Sequence, residues 1–223
     1  MTNDPSHPAE IGVTTQTEFD ERPLRSGRRK AGRGEAKRRQ ILDAAVRVIG
    51  TGGLSSLTHR AVAEAAGVPL GSMTYYFRDR EELVDQTMSY AVEIEGQRMA
   101  SILDSVTGEP TVERSVELLT EIFLDKTIAD PLYDLALFEM FMEATRNPEL
   151  RQKSIAWSEL IAGIVDRVLP PTDPSLPRQV AIQIVAAVID GLMLESASNQ
   201  KLSLEELSGH LRATILRIVA APA

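Results

Sequence analysis

From residue 36 onward, apolar residues return every three to four positions, and glycine, proline or capping residues interrupt that rhythm at intervals. Ile41, Ala45, Val48 and Ile49 share one helical face, which Gly52-Gly53 terminates. Thr58 caps a short helix, "HRAVAEAAG", closed by Gly67, and Val68 to Phe77 leaves room for one brief helix more. Asp79, with Glu82 three residues later, opens a longer helix carrying Leu83, Thr87, Tyr90, Ala91 and Ile94 on one face as far as Gly108-Glu109-Pro110. Val112, Val116, Leu119 and Phe123 form the next stripe. "LYDLALFEMFMEA" is apolar over most of its circumference and breaks at Asn147-Pro148, and a helix over Ile155 to Val168 follows, ended by Pro170-Pro171. "RQVAIQIVAAVIDGLML" is apolar nearly all round, which predicts burial on two sides. Ser203 and Glu206 make a capping box for a last stripe of Leu207, Leu211, Thr214, Ile215 and Ile218. No strand pattern appears.

The pattern predicts an all-α protein of about nine helices. Residues 35–80 form a three-helix unit, and a long fourth helix joins it to a helical bundle within 81–223. Residues 1–34 lack apolar periodicity and are expected to be a disordered basic arm.

Charge divides the chain along the same line. The net charge is −8, yet residues 22–80 hold 13 basic and 4 acidic residues, whereas 81–223 hold 11 and 23. The front end therefore suits a polyanion, although a solvated basic tail would give the same counts. The absence of cysteine excludes disulfides and thiolate chemistry. Residues 1–21 have no apolar signal core, and Val180 to Leu194 is interrupted by Gln183 and Asp190. A cytoplasmic protein with no membrane partner is the expectation. The histidines, His7, His59 and His210, are scattered, and no metal-ligand spacing or glycine-rich phosphate loop occurs. No catalytic residue, metal or cofactor is expected.

One stretch carries more chemistry than the rest. "AGVPLGSMTYYF", Ala66 to Phe77, places three of the chain's ten aromatics after a small-residue turn. Two short helices across such a turn make a helix-turn-helix, whose second helix enters a major groove only about 12 Å wide. Gly71 and Ser72 let the start of that helix come close. Met73 and Phe77 share an inward face over Ile41, Ala45 and Val62, while Tyr75 and Tyr76 flank it with hydroxyls available to phosphates. The aromatic triplet taken alone is equally compatible with core packing.

"LTHRAVAEAAGVPLGSMTYYFRDREELV", Leu57 to Val84, resembles the DNA-binding signature of the tetracycline-repressor (TetR) family of bacterial transcription regulators. With the first helix, the likeness covers residues 35–84; "LALFEMFMEATRNPELR" and "AAVIDGLML" resemble the family's sensing and dimerising segments more weakly. Position by position, the resemblance implies that Leu70, Gly71, Thr74 and Tyr75 face base edges. It implies that Thr58, Arg60, Ser72, Tyr76 and Arg80 hold the DNA backbone. Thr74 stands where the family commonly has tyrosine and Arg80 where it has lysine, so the operator sequence does not follow from the likeness.

The resemblance further implies a homodimer on a near-palindromic double-stranded operator, released by a small-molecule effector held among the fifth to seventh helices, with the last two helices pairing across the dimer. Phe123, Tyr133, Phe138, Met140, Phe141, Met142 and Trp157 are the candidate cavity residues, with Glu139 to orient a polar group; ordinary core packing accounts for such residues too. Asp190 suits an interface hydrogen bond. A constitutive or architectural DNA-binding protein without a ligand is the alternative.

Deleting residues 1–34 is expected to lower DNA affinity at physiological salt and leave the melting temperature unchanged, because the segment has no apolar side to bury. Equal affinity of the full and shortened chains would make the arm a bystander.

Overall fold

Helices in this chain, the short one after Pro69 excepted, begin for the most part where a side-chain oxygen takes over an N–H that the first turn leaves orphaned. Thr58 accepts from the Ala61 amide at 3.1 Å, Asp79 from Glu82 at 2.8 Å and Asn147 from Glu149 at 3.0 Å. Ser203 and Glu206 complete the predicted reciprocal capping box. The computed structural model describes residues 25–104, 107–125, 130–199 and 203–219. Nine helices follow in order: α1 (Arg25–Gly52), α2 (His59–Ala65), α3 (Leu70–Tyr76), α4 (Arg80–Leu103), α5 (Val112–Leu119), α6 (Pro131–Ala144), α7 (Pro148–Val168), α8 (Arg178–Asn199) and α9 (Leu204–Ile218). Among the described residues the sole sheet-like pairing is a bridge between Thr172 and Val219, so the protein is all-α as its periodicity predicts.

Four boundaries differ from the sequence reading. Helix α1 takes in residues 25–34, assigned above to the arm; residues 1–24 lie outside the described residues. Helix α4 ends at Leu103, short of Gly108. Helix α7 starts at Pro148 and not at Ile155: Asn147 caps it and proline suits the first helical position, so the pair that breaks one helix begins the next. The fifth stripe does not stay α-helical. After Leu119 the chain widens into a π-helical turn, Thr120–Leu124, closed by the Asp125 amide on the Thr120 carbonyl at 2.9 Å. That turn keeps Phe123 buried.

The head packs around Ile41, Ala45, Leu57, Val62, Met73 and Phe77, all buried, and this core continues into the bundle through Met88 and Met99 of α4. Helix α8 is the exception to two-sided burial. It presents Ala181, Ile182, Val185 and Ile189 to the core, whereas Val180, Ile184 and Leu194 are exposed. Only 28% of its apolar window is buried, although by length and mean hydropathy of 1.7 it would suffice to cross a membrane. Arg178 fastens the start of α8 to the end of α7, donating to Asp166 and to the carbonyls of Leu169 and Pro170.

Head and bundle meet where α1 crosses the start of α6. A Cβ placed on Gly50 would lie 2.3 Å from the Leu132 carbonyl oxygen, so this approach requires glycine. Around it, the Tyr133 hydroxyl donates to Asp43 at 2.7 Å, and Arg47 pairs with Asp43 at 3.1 Å and Asp130 at 2.9 Å. Burial, reinforced by the bond to Asp43, holds the Tyr133 hydroxyl protonated well above the ordinary tyrosine range. A second tie reaches the 3-10 turn Leu54–Ser56 that precedes α2: Glu139 accepts from the Leu54 amide at 3.2 Å. Arg80 closes the same turn from α4, donating through Nε to Leu57 O at 3.0 Å and through Nη2 to Leu54 O at 2.8 Å.

Gly50→Ala should destabilise the protein by roughly 1–3 kcal/mol despite alanine's better helix propensity, because the added methyl meets backbone and not a flexible side chain. Arg80→Ala should cost about 1 kcal/mol through the two lost carbonyl bonds. Denaturant midpoints measure both; a Gly50→Ala midpoint at or above that of the parent would show that α1 can back away freely.

Candidate nucleic-acid interface and effector pocket

Gly67 turns the chain between α2 and α3 with φ +61°, a conformation that favours glycine, and the Val68 amide returns to the Ala63 carbonyl at 2.9 Å. Gln40 of α1 donates to the Ala66 carbonyl at 2.7 Å, and Arg38 of α1 donates to Gln86 of α4. Helix α1 thus holds the turn through Gln40 and is itself tied to α4, and α3 is placed with Met73 and Phe77 inward. What remains on its outer side is unusual for solvent: Leu70 is 53% exposed and Tyr75 83%. Nothing lies within 4 Å of where a Gly71 side chain would begin, so the head's own packing does not require glycine there.

The other residues expected to meet DNA fall around this helix. Thr74 is exposed, with its hydroxyl on the Gly71 carbonyl at 3.2 Å, and Ser72 is half-buried. Tyr76 is half-buried and braces Tyr75 edge to face, ring centroids 5.0 Å apart. Thr58 and Arg60 are exposed at the start of α2; the Thr58 oxygen accepts the capping bond, which leaves its O–H as a donor. Arg80 departs from the expectation, since two of its three guanidinium nitrogens close the turn before α2 and only Nη1 remains outside those bonds. Arg78, which the sequence reading passed over, lies beside it with its side chain 80% exposed and paired to Asp79 at 2.7 Å.

The bundle contains a small pocket, open at its mouth, with a cavity volume of about 20 Å³. Four expected residues line it: Phe123, Phe138, Phe141 and Trp157, with Phe141 and Trp157 in tilted ring contact at 6.3 Å. Four do not: Tyr133 turns to Asp43 of α1, Glu139 to the Leu54 amide, Met142 is 61% exposed, and Met140 is buried in the core outside that lining. Helix periodicity shows that α6 is apolar almost all round, but not that its first turns face α1.

Of the polar lining, sequence reasoning missed Arg98 from α4 and Asp134 from α6, and it read Asp190 of α8 as an interface group instead of a pocket residue. Arg98 pairs with the buried Glu95 at 2.7 Å and donates to the Ile122 carbonyl of the π-helical turn at 2.9 Å. Burial raises the Glu95 carboxyl above the ordinary range, with Arg98 opposing that shift. Desolvation by its neighbours raises the Asp190 carboxyl, although the side chain keeps an exposed face. The sequence signal was there in part, as charges inside otherwise apolar helical stripes.

Comparison with known proteins agrees with both halves of this arrangement. Residues 41–87 match the family model described as bacterial regulatory proteins, tetR family, and residues 110–221, half of the chain, match the tetracyclin repressor-like C-terminal domain. The HTH-type transcriptional regulator BetI of Escherichia coli O17:K52:H18 is 28% identical over 178 residues, covering 77% of this chain and 88% of that protein. BetI of Serratia proteamaculans is 27% identical over 172 residues, covering 75% and 84%. Among solved structures, the multidrug binding protein EbrR complexed with imidazole is 27% identical with TM-score 0.59 over 84% of this chain and 97% of its own. A TetR-family member from Streptomyces coelicolor is 25% identical with TM-score 0.63 over 83% and 99%. The chain belongs to the TetR family of DNA-binding bacterial transcriptional regulators, which are not enzymes.

Proposed function

We propose that this regulator is a cytoplasmic homodimeric repressor, released from a near-palindromic operator by a small molecule bound in the bundle pocket. The observation that carries the DNA half is α3 itself, a rigidly held helix that leaves Leu70 and Tyr75 exposed around an open Gly71. Leu70, Gly71, Thr74 and Tyr75 are assigned to base edges, and Thr58, Arg60, Ser72, Tyr76 and the Nη1 edge of Arg80 to phosphates.

The uncovered side of α8 supports the dimer. Ile184, Val188, Gly191 and Leu192 of α8 and Ala213 and Ile218 of α9 line one broad groove. An apolar surface of that kind is stable in water when a second copy covers it, and the twofold axis spaces two α3 helices by about 34–36 Å, one turn of DNA.

The pocket supports the effector, and the EbrR relative binds imidazole. Helices α4 and α6 both line the pocket and both grip the turn before α2, through Arg80 and Glu139. An effector that displaces either helix therefore moves the head, with the α1–α6 contact at Gly50 as the second grip. An effector acts only by its differential affinity for the two arrangements.

Three substitutions test the parts separately. Arg60→Ala should weaken all DNA sequences alike and flatten the salt dependence by about one unit. Gly71→Ala should keep or raise stability, since the methyl meets nothing, yet lower operator affinity. Phe141→Ala should preserve operator affinity and abolish its loss on titration with imidazole. If imidazole and other organic cations never release DNA from the parent protein, the constitutive reading replaces this one.

A further inference from the structure

Helix α3 carries none of the side chains that grip a base edge with two hydrogen bonds. From Leu70 to Phe77 there is no Arg, Lys, Asn, Gln, Asp or Glu. In the major groove guanine is read by Arg or Lys, adenine by Asn or Gln, and the cytosine amine by Asp or Glu. What α3 offers instead is apolar. Leu70 is more than half exposed, and Thr74, four residues on and so along the same side of the helix, is exposed as well. The Thr74 hydroxyl donates its one proton to the Gly71 carbonyl at 3.2 Å, which leaves a methyl group and an acceptor oxygen for a partner. Gly71 adds no side chain between them, and nothing packs within 4 Å of where one would begin. Ser72 and Tyr75 each contribute one hydroxyl, which can donate or accept and so separates the bases poorly.

We infer that the base feature read by this head is the C5 methyl group of thymine, packed against Leu70 and the Thr74 methyl. That methyl is the apolar feature a base pair shows in the major groove. Burying it against these two side chains removes apolar surface from water, and the gap at Gly71 lets the helix come near enough for the contact. A thymine therefore lies opposite each of the two side chains in every half-site, and G·C pairs under α3 gain no charged or amide partner. The inference rests on α3 being the base-reading helix and adds which base feature it recognises.

The full-length protein is used to enrich sites from a randomised duplex library, and the recovered site is remade with deoxyuridine for each thymidine in turn. That exchange deletes one methyl and keeps every hydrogen-bonding group. Uracil should weaken binding about threefold or more at two positions per half-site and leave the others unchanged. Leu70→Ala should make one of those positions indifferent to the methyl. Thr74→Ser, which keeps the hydroxyl, should do so at the other, whereas Thr74→Val, which keeps the methyl, should not. Both side chains are exposed, so these variants should keep the parent's melting temperature. A recovered site in which every uracil exchange is silent overturns the inference and leaves α3 as the reader. A methyl dependence that survives Leu70→Ala and Thr74→Ser together overturns it too. If the library yields no preferred site, base reading by α3 falls with it.

Discussion

Helix α1 passes so near the first turn of α6 that Gly50 has no room for a side chain beside the Leu132 carbonyl. Close backbone approach of this kind leaves little slack, since packed interiors change arrangement in steps and do not stretch smoothly. Asp43 and Tyr133, Arg47 and Asp130, and Leu54 and Glu139 surround the contact with polar ties. A displacement of α6 must therefore either break these ties or carry the head with it. Since α6 also supplies Leu137, Phe138 and Phe141 to the pocket, one helix touches both the proposed effector pocket and the helix-turn-helix unit.

Helix α4 completes the linkage from the other side. Arg80, at its start, closes the turn before α2, and Arg98, towards its end, ties the pocket wall to the π-helical turn. Lys153 of α7 pairs with Asp85 of α4 at 2.6 Å, between those two points. The basic residues of this helix pair thus work as internal fasteners. The groups left open to solvent by the head are different ones, Arg60, Thr58, Leu70, Thr74 and Tyr75, and that separation lets affinity for DNA and integrity of the fold be probed by different substitutions.

Local signals in the sequence were enough for the helices and their starts. Thr58, Asp79 and Ser203 cap where the spacing places them, and the Asn147-Pro148 pair marks a boundary on both its sides. The inward pair Met73 and Phe77 followed from helical direction alone. Contacts between distant segments were not legible. Nothing local distinguishes an arginine that reaches phosphate from one whose nitrogens meet carbonyls 23 and 26 residues earlier, as Arg80 does. Tyr133 and Glu139 look like cavity residues on an apolar helix until α1 is seen against that side. The pocket's polar lining came from three helices, so Arg98, Asp134 and Asp190 could be brought together only by the tertiary arrangement.

If pocket occupancy reaches the head through the α1–α6 contact, Tyr133→Phe, which removes a hydroxyl bonded to Asp43 and absent from the pocket lining, weakens that link. The measurement is the ratio of operator affinities without and with saturating imidazole, in the parent and in the variant, with Trp157 fluorescence confirming that both bind imidazole equally. Coupling of this type is typically about 5–150-fold, the range expected for the parent. Tyr133→Phe should still bind operator and imidazole yet lose at least half of that coupling on a logarithmic scale. An unchanged ratio in a folded variant would contradict it, and would place the signal in α4 alone.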